Sequence, residues 1–325
     1  MHACIDLGSN SFHLLIGEWE QGRIRIIERL SEKVQLGENV RSSGEISPQA
    51  FARGIACLKR FKSLMDQYPL ENYWALGTNT FRVTRNADEF LAAAEQIGIH
   101  ISIISGVQEA VLIYAGVITG LPVSDANRLV IDIGGGSTEI IIGRHHDRPF
   151  TESLAIGSVA WRDRFFSEAS KDTSTLLQQM EKGRLAARAV FDVSAPGLKK
   201  IGWDEAYASS GTMKMLSQIS AGAGFAYGKL KLKALYKLQE QMAHCIASDG
   251  DMTGLKVSRR DLLLPGWCVL VGLMESYGVR KITFSPTALR EGMLDFMVKN
   301  EKTLEAMTSS ELPQTRPVQN PVSDN

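Results

Sequence analysis

The sequence predicts an α/β protein built from two related domains. Two observations carry this. Strand-like and helix-like segments alternate along most of the 325 residues, which is the pattern of helices packed on a sheet. The opening segment also recurs, without a gap, in the middle of the chain.

The repeat is read directly. "IDLGSNSFHLLIG" (5–17) lies over "IDIGGGSTEIIIG" (131–143) at a constant offset of 126 residues (131 − 5). Ile5/Ile131, Asp6/Asp132, Gly8/Gly134, Ser11/Ser137, Ile16/Ile142 and Gly17/Gly143 are identical, and three further positions exchange Leu for Ile. The period is domain-sized, so it marks two domains that open alike and not a short solenoid repeat. Each copy reads as a hairpin: an apolar run to an Asp, a turn of Gly, Ser or Asn, and an apolar return.

The remaining elements follow in order. "GRIRIIERL" (22–30) alternates as a third strand. Residues 46–68 have helical spacing, with Ser47 as N-cap and Pro48 at the first helical position. "NYWALGTNTFR" (72–82) is strand then loop, "NADEFLAAAEQIG" a helix stopped by glycine, "IHISIISG" a strand, and "VQEAVLIYAGVITG" a helix. In the second half, 148–158 is a weaker third strand and 174–193 a helix. "EAYASSGTMKMLSQI" is strand, glycine turn and helix. Residues 229–247 read as helical. A helix over 265–278, a strand and a final helix complete the pattern. The polar, Pro-containing stretch 301–325 reads as a disordered tail. Turn residues at 120–128 mark the boundary, giving expected domains 1–123 and 124–300.

Composition excludes several classes. Lys plus Arg number 36 and Asp plus Glu 36, so no overall basic surface points to nucleic acid or an anionic membrane. Cys4, Cys57, Cys245 and Cys268 are far apart and form no CxxC pair, which argues against zinc and for a reduced, cytoplasmic setting. The N-terminus has no signal-peptide pattern. No apolar run reaches the roughly 20 residues of a membrane span.

Four turns could hold phosphate, because glycines expose backbone amides and hydroxyls add donors. They contain Ser9, Asn10 and Ser11; Gly135, Gly136, Ser137 and Thr138; Gly211 and Thr212, which open a helix; and 77–82, ending in Arg82. The acids beside them have two readings each. Asp6 and Asp132 end strands, either as turn acceptors or as ligands of Mg²⁺, which takes one or two carboxylates plus phosphate oxygens. Glu139 opens an apolar strand, an expensive place for a carboxylate without a partner or a function. Glu109 lies in the first turn of a helix, where an acid either offsets the dipole or does chemistry. His145 and His146 read as a solvated turn. The basic run 229–238 and the segment around Arg162 read as solvated faces, with 229–238 able to add positive potential near a polyanion.

Taken together, "IDLGSNSFHLLI", "ALGTNTFR", "IISGVQEAVLIYAGV", "LVIDIGGGSTEIIIG", "SSGTMKML", "LLLPGWCVLVGLMESYGV" and "ALREGMLDFM" resemble the exopolyphosphatase/guanosine pentaphosphate phosphohydrolase (Ppx/GppA) family. This family belongs to the actin-like superfamily. The resemblance runs from about residue 3 to 298 and suggests a short, two-domain form. It implies two actin-like (ribonuclease H-like) domains, each a mixed five-stranded sheet flanked by helices, with a cleft between them. It implies Mg²⁺-dependent, or other divalent-dependent, hydrolysis of a terminal phosphoanhydride, with polyphosphate or guanosine pentaphosphate as substrate. It also implies that homodimers are common.

On matching positions, Glu109 is the implied catalytic base and Arg82 faces phosphate. Asp132 and Glu139, with Asp6 in the equivalent turn, are the metal-side acids. The other three turns grip phosphate. The chain departs from the family pattern at Gln108, Gln35, Trp267 and 285–287. The weaker charge leans the reading toward short chains or nucleotides without choosing between them. Two other functions use the same fold: an ATP-dependent kinase, and a non-catalytic sensor of guanosine tetra- or pentaphosphate.

Overall fold

A computed structural model describes residues 1–20, 23–145, 147–168, 170–299, 312–313 and 316–318. The described chain forms two compact units, 1–119 with 289–325, and 120–288.

The first unit holds β1 (His2–Leu7), β2 (Ser11–Glu20), β3 (Arg23–Lys33), β4 (Asn72–Gly77) and β5 (Ile101–Ile103). β1, β2 and β3 form an antiparallel meander, and β4 and β5 add in parallel beyond β1. Central β1 is buried on both faces at Ala3, Cys4, Ile5 and Leu7, as a strand between helical layers must be. The helix Pro48–Met65 begins as expected, with Ser47 accepting from the Ala50 amide and proline in its first turn. It buries Cys57, Leu58 and Phe61 in the unit core.

The second unit repeats this plan with β6 (Arg128–Ile133), β7 (Thr138–Arg144), β8 (Asp147–Leu154) and β9 (Glu205–Ser209). β10 (Lys229–Lys231) and β11 (Lys281–Phe284) complete it, in the spatial order β10-β11-β9-β6-β7-β8. The helix Leu263–Tyr277 runs through the core with every residue buried except Glu275. Trp267 is fully buried there and donates to Leu235 O at 2.9 Å. The departure at that position is therefore a core choice.

Both sheets are mixed and helix-flanked, as expected. Among the described residues each carries six strands, one more than expected. In the first unit the extra strand is Arg316–Pro317, pairing with Asn72 and Tyr73 at the outer edge of β4. In the second it is β10, inside the stretch read as helical. Leu230 is buried between exposed Lys229 and Lys231, a period of two that three residues are too short to announce. The helix proper is Leu232–Ala247.

The units also differ from a single cut in the chain. The helix Leu289–Lys299 folds with the first unit. It packs so tightly on the helix Gly106–Thr119 that a Cβ on Gly292 would lie 1.8 Å from Leu112 O. Glu291, 2% exposed, is held there by Arg29 at 2.7 Å. Most of the expected tail, 301–325, lies outside the described residues. Within it Leu312 is buried and Arg316–Pro317 is a strand.

Candidate functional site

In the first unit the structure brings Arg82 and Glu109 together. Glu109 sits in the first turn of Gly106–Thr119, a turn fixed by a reciprocal cap. The Gln108 amide donates to Ser105 Oγ at 3.2 Å, and the Ser105 amide donates to Gln108 Oε1 at 2.8 Å. This is a capping box, which glutamine fills as well as glutamate, so the loss of charge at Gln108 leaves the turn intact. Glu109 is 8% exposed. Arg82 Nη1 donates to Glu109 Oε2 at 2.9 Å and to Ile104 O at 2.8 Å. Burial pushes the Glu109 carboxyl above its ordinary range, and Arg82 only partly offsets this. A carboxyl raised in this way is a stronger base than a solvated one.

The turn 8–10 is fixed from outside. The Gly37 amide donates to Ser9 O at 2.8 Å, and the Val34 and Gln35 amides both reach Asn10 O. Gln35 does this with φ of 56°, so its backbone serves the turn where its side chain departs from the family. Ser9, Asn10 and Ser11 are buried, and Thr80 Oγ1 donates to Ser9 Oγ at 2.8 Å. Asp6 faces His13 across β1 and β2, so its cross-strand neighbour is not a second carboxylate.

In the second unit four polar residues form one row across four strands. Ser209 pairs with Asp132, Asp132 with Glu139, and Glu139 with Ser153. Directly paired residues share a face. The Ser209 hydroxyl donates to Asp132 Oδ2, and Ser153 Oγ donates to Glu139 Oε1 at 2.8 Å. Glu139 is 1% exposed. Two carboxylates opposed in this way repel unless a cation or a proton intervenes. Within neither unit do three or more His, Cys, Asp or Glu side chains of the described residues gather as a metal cage. Two carboxylates steadied by hydroxyls are, however, a donor set that suits Mg²⁺.

The glycine turn is clamped from behind. The amides of Ser158, Val159 and Ala160, which open the helix Ser158–Phe165, donate to Gly134 O and Gly135 O at 2.9–3.0 Å. The turn's carbonyls are thus committed to that helix, while the amides of Gly135 and Gly136 have no protein partner among the described residues. Thr138 behaves differently from expectation. It is fully buried and its Oγ1 donates to Ile156 O at 2.6 Å, so the proton expected to face a ligand shapes the turn instead.

The turn at Gly211 and Thr212 opens the helix Gly211–Gly222. Ser210 caps it, accepting from the Met213 amide at 3.3 Å, with φ of 100° and ψ of 166°. That region is nearly reserved for glycine and stores about 1–3 kcal/mol of strain. Gly266 gives Thr212 room, since a Cβ there would come within 2.7 Å of the Thr212 methyl.

Two participants carried no sequence signal. A Cβ on Gly157 would lie 2.4 Å from Gly135 O, and one on Gly211 would lie 2.4 Å from Arg259 Nη2. Burial holds the Arg259 guanidinium below the usual arginine range, with Asp261 opposing. Both contacts are long-range, so no local pattern could show them.

The model of the Ppx/GppA phosphatase family matches residues 15–301. The guanosine-5'-triphosphate,3'-diphosphate pyrophosphatase of Aeromonas hydrophila is 35% identical over 311 residues, which is 94% of this chain but 61% of that protein. The chain therefore spans under two thirds of that relative's length. A putative exopolyphosphatase of Haemophilus influenzae is 34% identical, over 95% of this chain and 94% of that one. Among solved structures, an exopolyphosphatase from Cytophaga hutchinsonii superposes with a TM-score of 0.77 at 24% identity, covering 93% of this chain and 99% of that one. The Aquifex aeolicus member of the family gives a TM-score of 0.73 at 23% identity, covering 93% and 98%. These two matches establish the shared fold.

Proposed function

This chain belongs to the Ppx/GppA phosphatase family, and from that premise we propose that it hydrolyses terminal phosphoanhydrides. Its substrates are then inorganic polyphosphate, guanosine pentaphosphate or both, and it works in the cytoplasm. The observation that carries the reading is the Arg82–Glu109 pair. It sets a buried carboxyl, raised above its ordinary range, beside a guanidinium that can fork onto phosphate oxygens.

Phosphoryl transfer is mainly positioning and charge neutralisation. Glu109 accepts the proton of the attacking water and orients its lone pair toward phosphorus. Arg82 neutralises oxygens of the phosphoryl group through its remaining nitrogens. The turn at Ser9, Asn10 and Ser11 offers hydroxyl and amide donors. Gly135, Gly136 and Ser137 offer amides, and Gly211 and Thr212 offer the start of a helix. Asp132 and Glu139 would hold Mg²⁺ or another divalent ion, which would offset phosphate charge when bound, and Asp6 is the matching carboxylate of the first unit's turn. The buried free cysteines fit a reducing compartment. No helix among the described residues is long and apolar enough to cross a membrane.

A phosphate-release assay tests this. Short polyphosphate, long polyphosphate, guanosine pentaphosphate and ATP are each supplied with and without Mg²⁺. Release from at least one of the first three, without any acceptor, is expected. No release from any of them under any divalent condition would overturn the proposal.

A further inference from the structure

Within the second unit, at the end of its sheet opposite the Ser209 turn, lies a cluster of cations. β9 and β11 are parallel. The Ser209 turn follows the last residue of β9, whereas Lys281 is the first residue of β11. Edge strand β10 runs antiparallel to β11 and sets Lys231 directly opposite Lys281. Arg280 precedes Lys281, and its carbonyl accepts from the Leu232 amide at 3.1 Å. Lys233 follows in the first turn of the helix Leu232–Ala247. All four cations are exposed, and none is in an ion pair among the described residues.

Three features of this cluster work against the fold unless an anion is present. Like charges directly opposed across two strands repel. Lys231 is the N-cap of a 16-residue helix, makes no side-chain cap bond, and is followed by no acid in the first turn. Cations at a helix N-terminus oppose its dipole. The nearby acids at this end of β9 are committed elsewhere: Asp204 accepts from the Asn127 amide at 2.8 Å, and Glu205 accepts from Arg128 at 3.0 Å. Lysines on an edge strand do discourage sheet-to-sheet pairing. Lys229 and Lys231 suffice for that, and it gives no reason for Arg280 and Lys281 on the inner strand or Lys233 on the helix.

We propose that Lys231, Lys233, Arg280 and Lys281 form an exosite for a chain of phosphates, holding a distal part of long inorganic polyphosphate outside the turns assigned to the reaction. The chemistry fits a flexible polyanion with one charge per residue and no bases to read. Four lysine and arginine heads on two strands and a helix start offer charge, while Tyr236, one turn along the helix, is held by Glu275 through its hydroxyl and packs edge-on against Trp267, so it is not a free platform for stacking nucleobases. The assignment rests on the hydrolase reading for its choice of polyanion, but its test is a binding measurement that does not need turnover.

The four-fold variant Lys231→Gln, Lys233→Gln, Arg280→Gln, Lys281→Gln is compared with the wild-type chain by calorimetry. Long polyphosphate, tripolyphosphate, orthophosphate, guanosine pentaphosphate and a single-stranded RNA are the probes, each at two salt concentrations. Circular dichroism and the melting temperature confirm that the variant folds. Affinity for long polyphosphate should fall by about tenfold or more, with a shallower salt dependence, while tripolyphosphate and guanosine pentaphosphate bind as before. Unchanged affinity for long polyphosphate would overturn the exosite. So would an equal loss for tripolyphosphate, or RNA binding that matches polyphosphate and falls with it. Binding lost as expected in a protein that releases no phosphate would leave the exosite standing and sink the hydrolase reading alone.

Discussion

Arg82 reaches Glu109 through a single nitrogen, Nη1, at 2.9 Å, and the same nitrogen also donates to Ile104 O at 2.8 Å. Among the described residues, its Nε and Nη2 have no protein partner. One nitrogen of the guanidinium thus fixes the carboxylate, and a guanidinium with donors to spare can fork onto phosphate oxygens. Glu109→Gln keeps the shape and loses the base. It should lower phosphate release by about 10²- to 10⁴-fold while tripolyphosphate binding stays within a few-fold. Steady-state rates and calorimetry check both halves.

The same carboxyl makes stability depend on pH. Its folded pKa is raised by burial, with Arg82 opposing only in part. As pH climbs from the usual carboxylate value of 4.5, the unfolded chain gives up this proton first. The contribution of Glu109 to stability is therefore complete below that value and is lost as pH rises through the folded pKa. The melting temperature of Glu109→Gln should gain on wild type from about pH 4.5 toward neutrality. Parallel melting curves for the two proteins across that range would contradict the sign.

Asp132 and Glu139 predict a ligand effect that needs no turnover. Added Mg²⁺ should raise the melting temperature of wild type, by an amount equivalent to about 2.7 kcal/mol at a hundredfold excess over its dissociation constant. Asp132→Asn and Glu139→Gln should each lose most of that shift. Both should melt no lower than wild type in chelator, since each relieves a like-charge pair.

Two glycines have consequences through packing. Gly157→Ala places a methyl 2.4 Å from Gly135 O, so either the helix start or the glycine turn must move. A loss of about 1–3 kcal/mol, with reduced activity, is expected from denaturant unfolding and rates. Gly292→Ala drives a Cβ against Leu112 O in the helix that carries Glu109. It should destabilise by about 3 kcal/mol.

The capping box separates two meanings of Gln108. Gln108→Glu should be near neutral. Gln108→Ala leaves the Ser105 amide without its acceptor and should cost about 1 kcal/mol, read from thermal melts. If Gln108→Ala is as stable as wild type, the box contributes nothing.

The sequence by itself determined the class, the two-fold plan and the local turns. The ungapped repeat at 5–17 and 131–143 needed no coordinates, because hairpins are local and their strand period and turn chemistry are written in consecutive residues. Ser47 at the start of its helix was equally local. The turns at 8–11, 134–138 and 211–212 were visible for the same reason. Tertiary structure decided what lies far apart in the chain. It brought Arg82 to Glu109 across 27 residues and aligned Ser209, Asp132, Glu139 and Ser153 in one row. It also packed Leu289–Lys299 back onto the first unit. It turned the Thr138 hydroxyl inward to Ile156 and set Lys231 against Lys281. Each of these depends on strand register or helix packing, and both are fixed by the summed burial of many apolar side chains. No short stretch of sequence contains that sum.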